Sequence, residues 1–429
     1  MEMRRLSVFI GDDFTGASDT LATWARSGAR VRLFLDPAEA EKAGDDLDII
    51  GIATELRGLP ADRIRDRMSG IAASVARLKP RYVHYKVCST FDSGPDTGSI
   101  GVAVIALERA LDPVLTLVLG GQPSLGRYCL FGNLFAGAAD GQVYRIDRHP
   151  VMRQHPITPM TEADLAVHLA AQGLEGLVLV PFTELAAGPE ALGGMLDTAR
   201  RSGSHRFLLD AASATDIRII GQALNRLSGD RPVLLIGASS VAEALGGPAG
   251  GFAAGASDTH QIPPRQGPTL VVAGSRSSVT EAQVSAATLF DKFPLLPGML
   301  NEPEHLEAIV GCVSTGLLKG RNILVHALPG AEYRMDAPML TARLVEFVAA
   351  TLARAPCGRL GVAGGDTSSA ICQRLGFSAL EFASDLDPGV GLCIGHHSDP
   401  ALDQMELMLK GGQMGRPDLF DRFASGSRS

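Results

Sequence analysis

Short apolar runs that end in glycine or aspartate, each followed by a stretch with helical spacing, recur along the chain. LSVFI (6–10), DIIGIA (48–53), YVHYKV (82–87) and VLTLVLG (114–120) read as buried strands. The intervening segments, such as residues 61–78, place apolar positions at the interval of amphipathic crossover helices. The alternation continues through LVLVPF (177–182), RFLLDA (206–211) and PVLLIGA (232–238). It restarts with TLVVAGS (269–275), NILVHAL (322–328) and RLGVAGG (359–365). Strands alternating with helices predict an α/β chain of two domains, each with a mostly parallel sheet flanked by helices. The interruption, GGPAGGFAAGASDTHQIPPRQGP (246–268), is poor in large apolar residues and reads as the linker. The expected domains are therefore residues 1–255 and 256–429.

Composition narrows the classes of function. The 429 residues are 45% hydrophobic and 20% charged, ordinary globular values that exclude wholesale disorder. A net charge of −8 without a basic block excludes a nucleic-acid surface. No apolar run approaches the roughly 18 residues that a membrane span needs. The six cysteines are scattered without a CxxC pair, so they read as reduced thiols. Two arginines precede Leu6–Ile10, but that run is too short for a secretory signal, and a cytoplasmic protein is the expectation.

Chemistry collects where the predicted strands end. The first strand runs into Gly11-Asp12-Asp13-Phe14-Thr15-Gly16, at the carboxyl edge where open α/β sheets bind ligands. One carboxylate suffices to cap the following helix; the second points to hydrogen bonding or proton transfer with a substrate hydroxyl. Lys86 closes an apolar strand, which is costly unless its ammonium meets an anion or water, and Cys88, Ser89 and Thr90 follow it. Arg57 supplies a second cation at an equivalent strand end. Gln122 and Arg127 lie in another glycine-rich loop, which reads either as part of the same crevice or as a turn. His149 and His155 match no metal spacing and read as structural; His396-His397 at a strand end most often point to opposite faces.

In the second half, Gly364-Gly365-Asp366-Thr367-Ser368 follows a strand and opens a helix. Backbone N–H groups of such a turn make a concavity suited to phosphate, unless the segment is an ordinary capped turn. Gly274-Ser275-Arg276-Ser277 and Lys410-Gly411-Gly412 offer further amides, hydroxyls and a cation. No GxxxxGK[ST] loop and no complete dinucleotide fingerprint occurs.

Taken together, residues 11–19, 85–93, 364–369 and 410–415 resemble the four-carbon acid sugar kinase family, in order and over essentially the whole chain. The resemblance implies an N-terminal sugar-acid-binding domain, a C-terminal nucleotide-binding domain, and phosphoryl transfer from ATP, with Mg²⁺, to a terminal hydroxyl of a short sugar acid. Position by position it implies Asp12 and Asp13 as catalytic carboxylates, and Asp13, Arg57, Lys86, Cys88, Ser89 and Thr90 as substrate contacts. It implies Ser275, Ser277, Gly364, Gly365, Asp366, Thr367 and Gly412 as nucleotide contacts. The stretch YKVCSTFDS (85–93) is closer to the 3-oxo-tetronate type than to the threonate type, whereas GQPSLGRYCLFGNLF (121–135) departs from it and leaves a branched acid such as 3-oxo-isoapionate open. In this reading Arg57 and Lys86 clamp the substrate carboxylate, and closure about the linker brings the domains together. A non-catalytic sugar-acid sensor is the competing expectation. The expected partners are a small-molecule sugar acid and no nucleic acid or membrane; a homodimer is expected without any surface patch in the sequence that carries it.

Overall fold

The computed structural model describes residues 7–44, 46–202, 205–227, 229–247, 267–387 and 389–426, and not the side chain of Asp366. Most of the predicted linker, residues 248–266, lies outside the described residues. The chain divides into two compact units, with the boundary between residues 256 and 257.

The first unit contains β1 (Ser7–Gly11), β2 (Val31–Phe34), β3 (Ile49–Ala53), β4 (Tyr82–Lys86), β5 (Leu115–Leu119), β6 (Arg127–Leu130), β7 (Asn133–Gly137), β8 (Val143–Arg145), β9 (Val178–Val180), β10 (Arg206–Leu209) and β11 (Val233–Gly237). Eight of these form a parallel sheet in the order β2-β3-β1-β4-β11-β5-β10-β9. β1, β4, β5 and β11 are buried along their whole length, so their sequences are mostly apolar runs rather than alternating patterns, with His84 and Lys86 of β4 among the buried polar exceptions. Helix Phe14–Arg26 closes on this sheet through Phe14, Ala17, Leu21 and Trp24. Each large side chain so buried contributes about 1.5–3 kcal/mol. A separate antiparallel sheet, β6-β7-β8, was not expected from the sequence: its strands are short and half-exposed, and lack the apolar run that marked the others.

The second unit contains β12 (Thr269–Ala273), β13 (Asp291–Leu295), β14 (Ile323–Ala327), β15 (Arg359–Ala363), β16 (Ala379–Asp387), β17 (Val390–His396) and β18 (Met405–Lys410). β13-β14-β12-β15-β18 run parallel, and β17 and β16 continue the sheet antiparallel. One face packs Val271, Leu324, Ala363 and Met408 against Leu419, Phe420 and Phe423 of helix Leu419–Ser425. At the N-terminal ends of β15 and β18, in register, Arg359 and Glu406 form a buried ion pair at 2.5 Å. The sheets are thus mostly parallel and flanked by helices, as the alternation predicts.

Close packing in the first unit depends on Gly221. It sits within helix Ala214–Arg226, where a Cβ would collide with the backbone carbonyl of Ala244 on helix Ser240–Gly246. Glycine to alanine inside an exposed helix normally stabilises by about 1 kcal/mol. Here Gly221→Ala is expected to destabilise by about 1–3 kcal/mol in urea unfolding, because the backbone has nowhere to move; a gain in stability would contradict this packing.

Candidate active site

In the first unit the C-terminal ends of β3, β1, β4 and β11 are adjacent and in register: Gly11 pairs with Ala53 and Lys86, and Lys86 with Gly237. Backbone hydrogen bonds then tie the outgoing loops together. Asp12 N–H donates to the Lys86 carbonyl at 2.9 Å, Arg57 N–H to the Asp12 carbonyl at 2.9 Å, and Val87 N–H to the Gly237 carbonyl at 3.0 Å. The Thr54 hydroxyl donates to the Gly11 carbonyl at 2.6 Å. The parallel sheet therefore delivers Asp12, Asp13, Arg57 and Lys86 to one place.

Arg57 clasps both aspartates. Its Nε and Nη2 donate to Asp12 Oδ2 and Oδ1 at 3.1 and 2.8 Å, and its Nη1 donates to Asp13 Oδ2 at 2.8 Å. Asp13 also caps helix Phe14–Arg26, accepting from Gly16 N–H at 2.7 Å through Oδ1. The cap and the chemistry weighed as alternatives in the sequence are thus combined in one residue, while Asp12 carries no cap. Burial pushes the Asp12 carboxyl above the usual carboxylate range against the opposing pull of Arg57, with Asp13 adding to the rise. Burial is the largest single influence on Arg57 and works against its charge, but Asp12, Cys88 and Asp13 together outweigh it and hold the guanidinium well above its ordinary value. Three of the five guanidinium donors are spent on carboxylates, so the clamp on a substrate carboxylate expected of Arg57 is not what this geometry displays; the guanidinium holds the acidic pair.

Lys86 is 4% exposed. Its Nζ donates to the Val87 carbonyl at 2.9 Å, and among the described residues no carboxylate ion-pairs with it. The ammonium lies over the first turn of helix Phe14–Arg26, where a Cβ on Gly16 would come within 2.6 Å of it; only glycine leaves that space. Beyond Lys86, Cys88 Sγ lies 3.0 Å from Thr90 Oγ1, which donates to Asp92 Oδ1 at 2.5 Å, and Ser89 is half-buried in the same turn. Burial and the Asp92 charge push the Cys88 thiol up to about 11, so it is a neutral group near pH 7 and not a nucleophile.

Asp19 is the third carboxylate of the 11–19 segment singled out in the sequence; the other residues around it at this edge carried no sequence signal strong enough to single them out. Asp19 accepts a short hydrogen bond from the Ser239 hydroxyl, which also lies 3.0 Å from Thr20 Oγ1. His168 Nε2 lies 2.9 Å from Ser93 Oγ and 3.1 Å from the Phe91 carbonyl, and Gln172 Nε2 donates to Ser93 Oγ at 2.8 Å. These bonds hold the Cys88–Ser93 turn, in which Phe91 takes a left-handed φ of 54°. The polar junction after PVLLIGA was the available clue to Ser239; nothing local marked His168. Gln122 is held by Glu243 at 3.2 Å, and Arg127 turns back onto the Leu125 carbonyl of its own loop. His149 and His155 accept backbone N–H bonds through Nδ1, His396 pairs with Glu381, and His397 bridges the Leu375 carbonyl and Asp399 N–H.

In the second unit the C-terminal ends of β12, β15 and β18 align, Ala273 with Ala363 and Ala363 with Lys410. Ser275 N–H donates to the Ala363 carbonyl and Gly364 N–H to the Lys410 carbonyl, both at 2.9 Å, so three loops share one edge. Helix Gly365–Leu375 starts there behind Gly364, at a φ of 139°, with no side-chain cap on its first turn. Thr367 Oγ1 lies near Gly364 and Gly274, and Ser275 Oγ fills the space above Gly412 where a Cβ would be. Ser277 caps helix Ser278–Ala286 and donates to the Gly412 carbonyl at 2.5 Å. Open amide donors, hydroxyls and Lys410 make an edge chemically fitted to phosphate oxygens. The Asp366 side chain is outside the described residues.

Comparisons with known proteins bear on both units. Residues 7–245 match a sugar-binding N-terminal domain and residues 270–420 a nucleotide-binding C-terminal domain. The chain is 31% identical to a 3-oxo-isoapionate kinase of Paraburkholderia graminis, over 98% of this chain and 94% of that protein. It is 32% identical to a 3-oxo-tetronate kinase of Cupriavidus necator, over 96% and 95%. A solved structure from Salmonella typhimurium LT2, described as a tRNA synthase, superposes with a TM-score of 0.81 at 25% identity, covering 97% of this chain and 98% of that one.

The clasp generates a stability prediction. Arg57→Met leaves two neighbouring carboxylates without their counter-charge and is expected to cost about 2–4 kcal/mol, below the fully buried figure because the arginine side chain is 25% exposed. A double-mutant cycle with Asp12→Asn in urea unfolding is expected to return a coupling of about 1–3 kcal/mol. Additive effects would mean that the clasp contributes nothing as a pair.

Proposed function

Because the chain belongs to the four-carbon acid sugar kinase family, we propose that it transfers the γ-phosphoryl group of ATP, taken as MgATP, to a terminal hydroxyl of a short sugar acid. The observation that carries the acid half of this reading is Lys86: a buried ammonium that no carboxylate ion-pairs among the described residues, beside a carboxylate pair, at the ligand edge of a parallel sheet. A sugar acid supplies what each lacks, its carboxylate facing the ammonium and its hydroxyls facing the aspartates.

The roles follow from exposure and hydrogen bonding. Asp12 is nearly enclosed and has both oxygens on Arg57; Asp13 is more open, with side-chain exposures of 6% and 27%. Asp13 is therefore the carboxylate that accepts from the attacking hydroxyl. In a loose phosphoryl-transfer transition state the hydroxyl proton leaves late, so orientation of the oxygen matters more than early deprotonation. Arg57 acts through Asp12 and Asp13 as a positioning residue, and Lys86 fixes the acid end. Cys88, Ser89 and Thr90 shape the pocket wall as neutral groups that hydrogen-bond the carbon chain's oxygens. Gly365, Thr367, Ser275 and Gly412 receive the nucleotide phosphates through backbone N–H and hydroxyl donors, with Asp366 in the same turn. Gly364, whose N–H is spent on the Lys410 carbonyl, and Ser277, whose hydroxyl is spent on the Gly412 carbonyl, hold the turn around them. Mg²⁺ arrives on the phosphates and offsets their charge when the γ-phosphoryl group moves.

The acid is either the linear four-carbon 3-oxo-tetronate or the branched 3-oxo-isoapionate, since relatives of each kind match at nearly equal identity. Incubating the protein with MgATP and a panel containing both acids, threonate and erythronate, and following ADP release, tests the activity and ranks the acids. Asp13→Asn is expected to lower kcat by about 10²–10⁴-fold while ADP still binds. Tight binding of an acid with no ADP release from any member of the panel would favour the sensor reading instead.

A further inference from the structure

We infer that Lys410 links nucleotide binding to protonation: its ammonium is a counter-charge kept for a nucleotide phosphate, so binding draws a proton from solvent onto Nζ wherever the lysine is neutral in the free protein. This rests on reading residues 270–420 as the nucleotide domain. Lys410 ends β18 at the edge where the phosphate-fitted loops meet, and it is 1% exposed. Its Nζ reaches Thr280 Oγ1 at 3.2 Å and the Gly412 carbonyl at 3.5 Å. That carbonyl also accepts from the hydroxyls of Ser277 and Thr280, so the lysine's share of it is small. Two weak dipolar contacts do not replace the hydration of an ammonium.

The charged groups of the surrounding elements lie elsewhere or are paired, and Arg276 of the neighbouring loop donates to the Ala331 carbonyl at 3.3 Å. Arg359 and Glu406 pair with each other at the far ends of β15 and β18. Glu281 of helix Ser278–Ala286 is exposed, and Arg374 sits in the last turn of helix Gly365–Leu375. Arg416, which follows the glycine turn, is held by Asp387 at 2.9 Å. Cys393 and His396 of β17 lie alongside the opposite half of β18. The Asp366 side chain is outside the described residues.

The same loop is anchored independently of the lysine. Gln283 Nε2 donates to the carbonyls of Met414, Gly415 and Arg416, fixing the turn after Gly412. The amide and hydroxyl donors therefore stay in place when Lys410 loses its proton, and only the charge changes. Burial lowers Lys410 from the ordinary lysine value to about 8. A phosphate beside it raises that value again, so the liganded state favours the proton and binding weakens as pH rises through the free-protein value.

Isothermal titration of the full chain with metal-free ADP, in buffer pairs of different ionisation heat, reads this directly. Proton uptake per ADP is expected to rise from about one quarter at pH 7.5 to about three quarters at pH 8.5, with affinity falling about five-fold between pH 8 and 9. Lys410→Arg, which keeps a charge that does not titrate, is expected to bind ADP without proton uptake and without that fall. Lys410→Met is expected to bind at least about ten-fold more weakly at pH 7.5, also without uptake, with circular dichroism confirming its fold. Uptake that is absent from the wild type at pH 8.5, or that survives in Lys410→Arg, overturns the inference. Wild-type protein that binds no ADP at any pH overturns the nucleotide reading itself, a distinguishable result.

Discussion

A buried ammonium that no carboxylate ion-pairs among the described residues is the constraint on which the rest of this molecule turns. It occurs twice, once in each unit and each time on the last residue of a parallel strand: Lys86 on β4 and Lys410 on β18. The strands β15 and β18 make the point by contrast. At one end, in register, Arg359 and Glu406 satisfy each other and close the structure; at the other, Ala363 stands opposite Lys410, which has no such partner among the described residues. The depression of Lys410 to about 8 corresponds to a cost on the order of 3 kcal/mol for the charged, ligand-free fold below pH 8, relieved as pH rises from there toward the unfolded-state value. A penalty of that size, placed at the ligand edge of a sheet, is not a device for stability.

Around Lys86 the constraint organises the acidic pair. Two aspartates next to a buried lysine could neutralise it directly, which would leave no place for a ligand. Arg57 prevents this by engaging both carboxylates, and Asp13 is further committed to the Gly16 amide. The arrangement keeps negative and positive groups side by side without letting them cancel. Under the proposed function, an acid bearing both a carboxylate and hydroxyls meets each in turn. The net charge of −8 is no obstacle to the proposed function, in which placed cations and backbone donors, rather than the field of the whole chain, recognise the anions.

Much of this was legible in the sequence because a parallel strand announces itself as an apolar run and its ligand edge as the polar, glycine-rich residues that follow. β1, β4, β12 and β15 were identified in this way together with Asp12, Asp13, Lys86 and the turn at Gly364. Strands without that signature were not: β13 carries Pro294 and is largely exposed, and the β6-β7-β8 sheet is short and half-exposed. Contacts set by tertiary structure left no local trace. The Asp19–Ser239 bond joins residues 220 apart, and His168 reaches Ser93 across 75. Arg57 was recognised as a cation at the site, but its commitment to carboxylates 44 and 45 residues away could be seen only once the chain was folded.

The claim that both lysines are held for ligands is tested most directly by thermal unfolding of Lys86→Met and Lys410→Met beside the wild type, each without ligand, with ADP, and with the sugar acid that turns over fastest. The account predicts that Lys410→Met melts above the wild type when unliganded, by a few degrees. It also predicts that stabilisation by the acid is lost in Lys86→Met alone, and stabilisation by ADP in Lys410→Met alone. Variants that melt below the wild type yet keep both ligand responses would contradict it, and would make the two lysines structural.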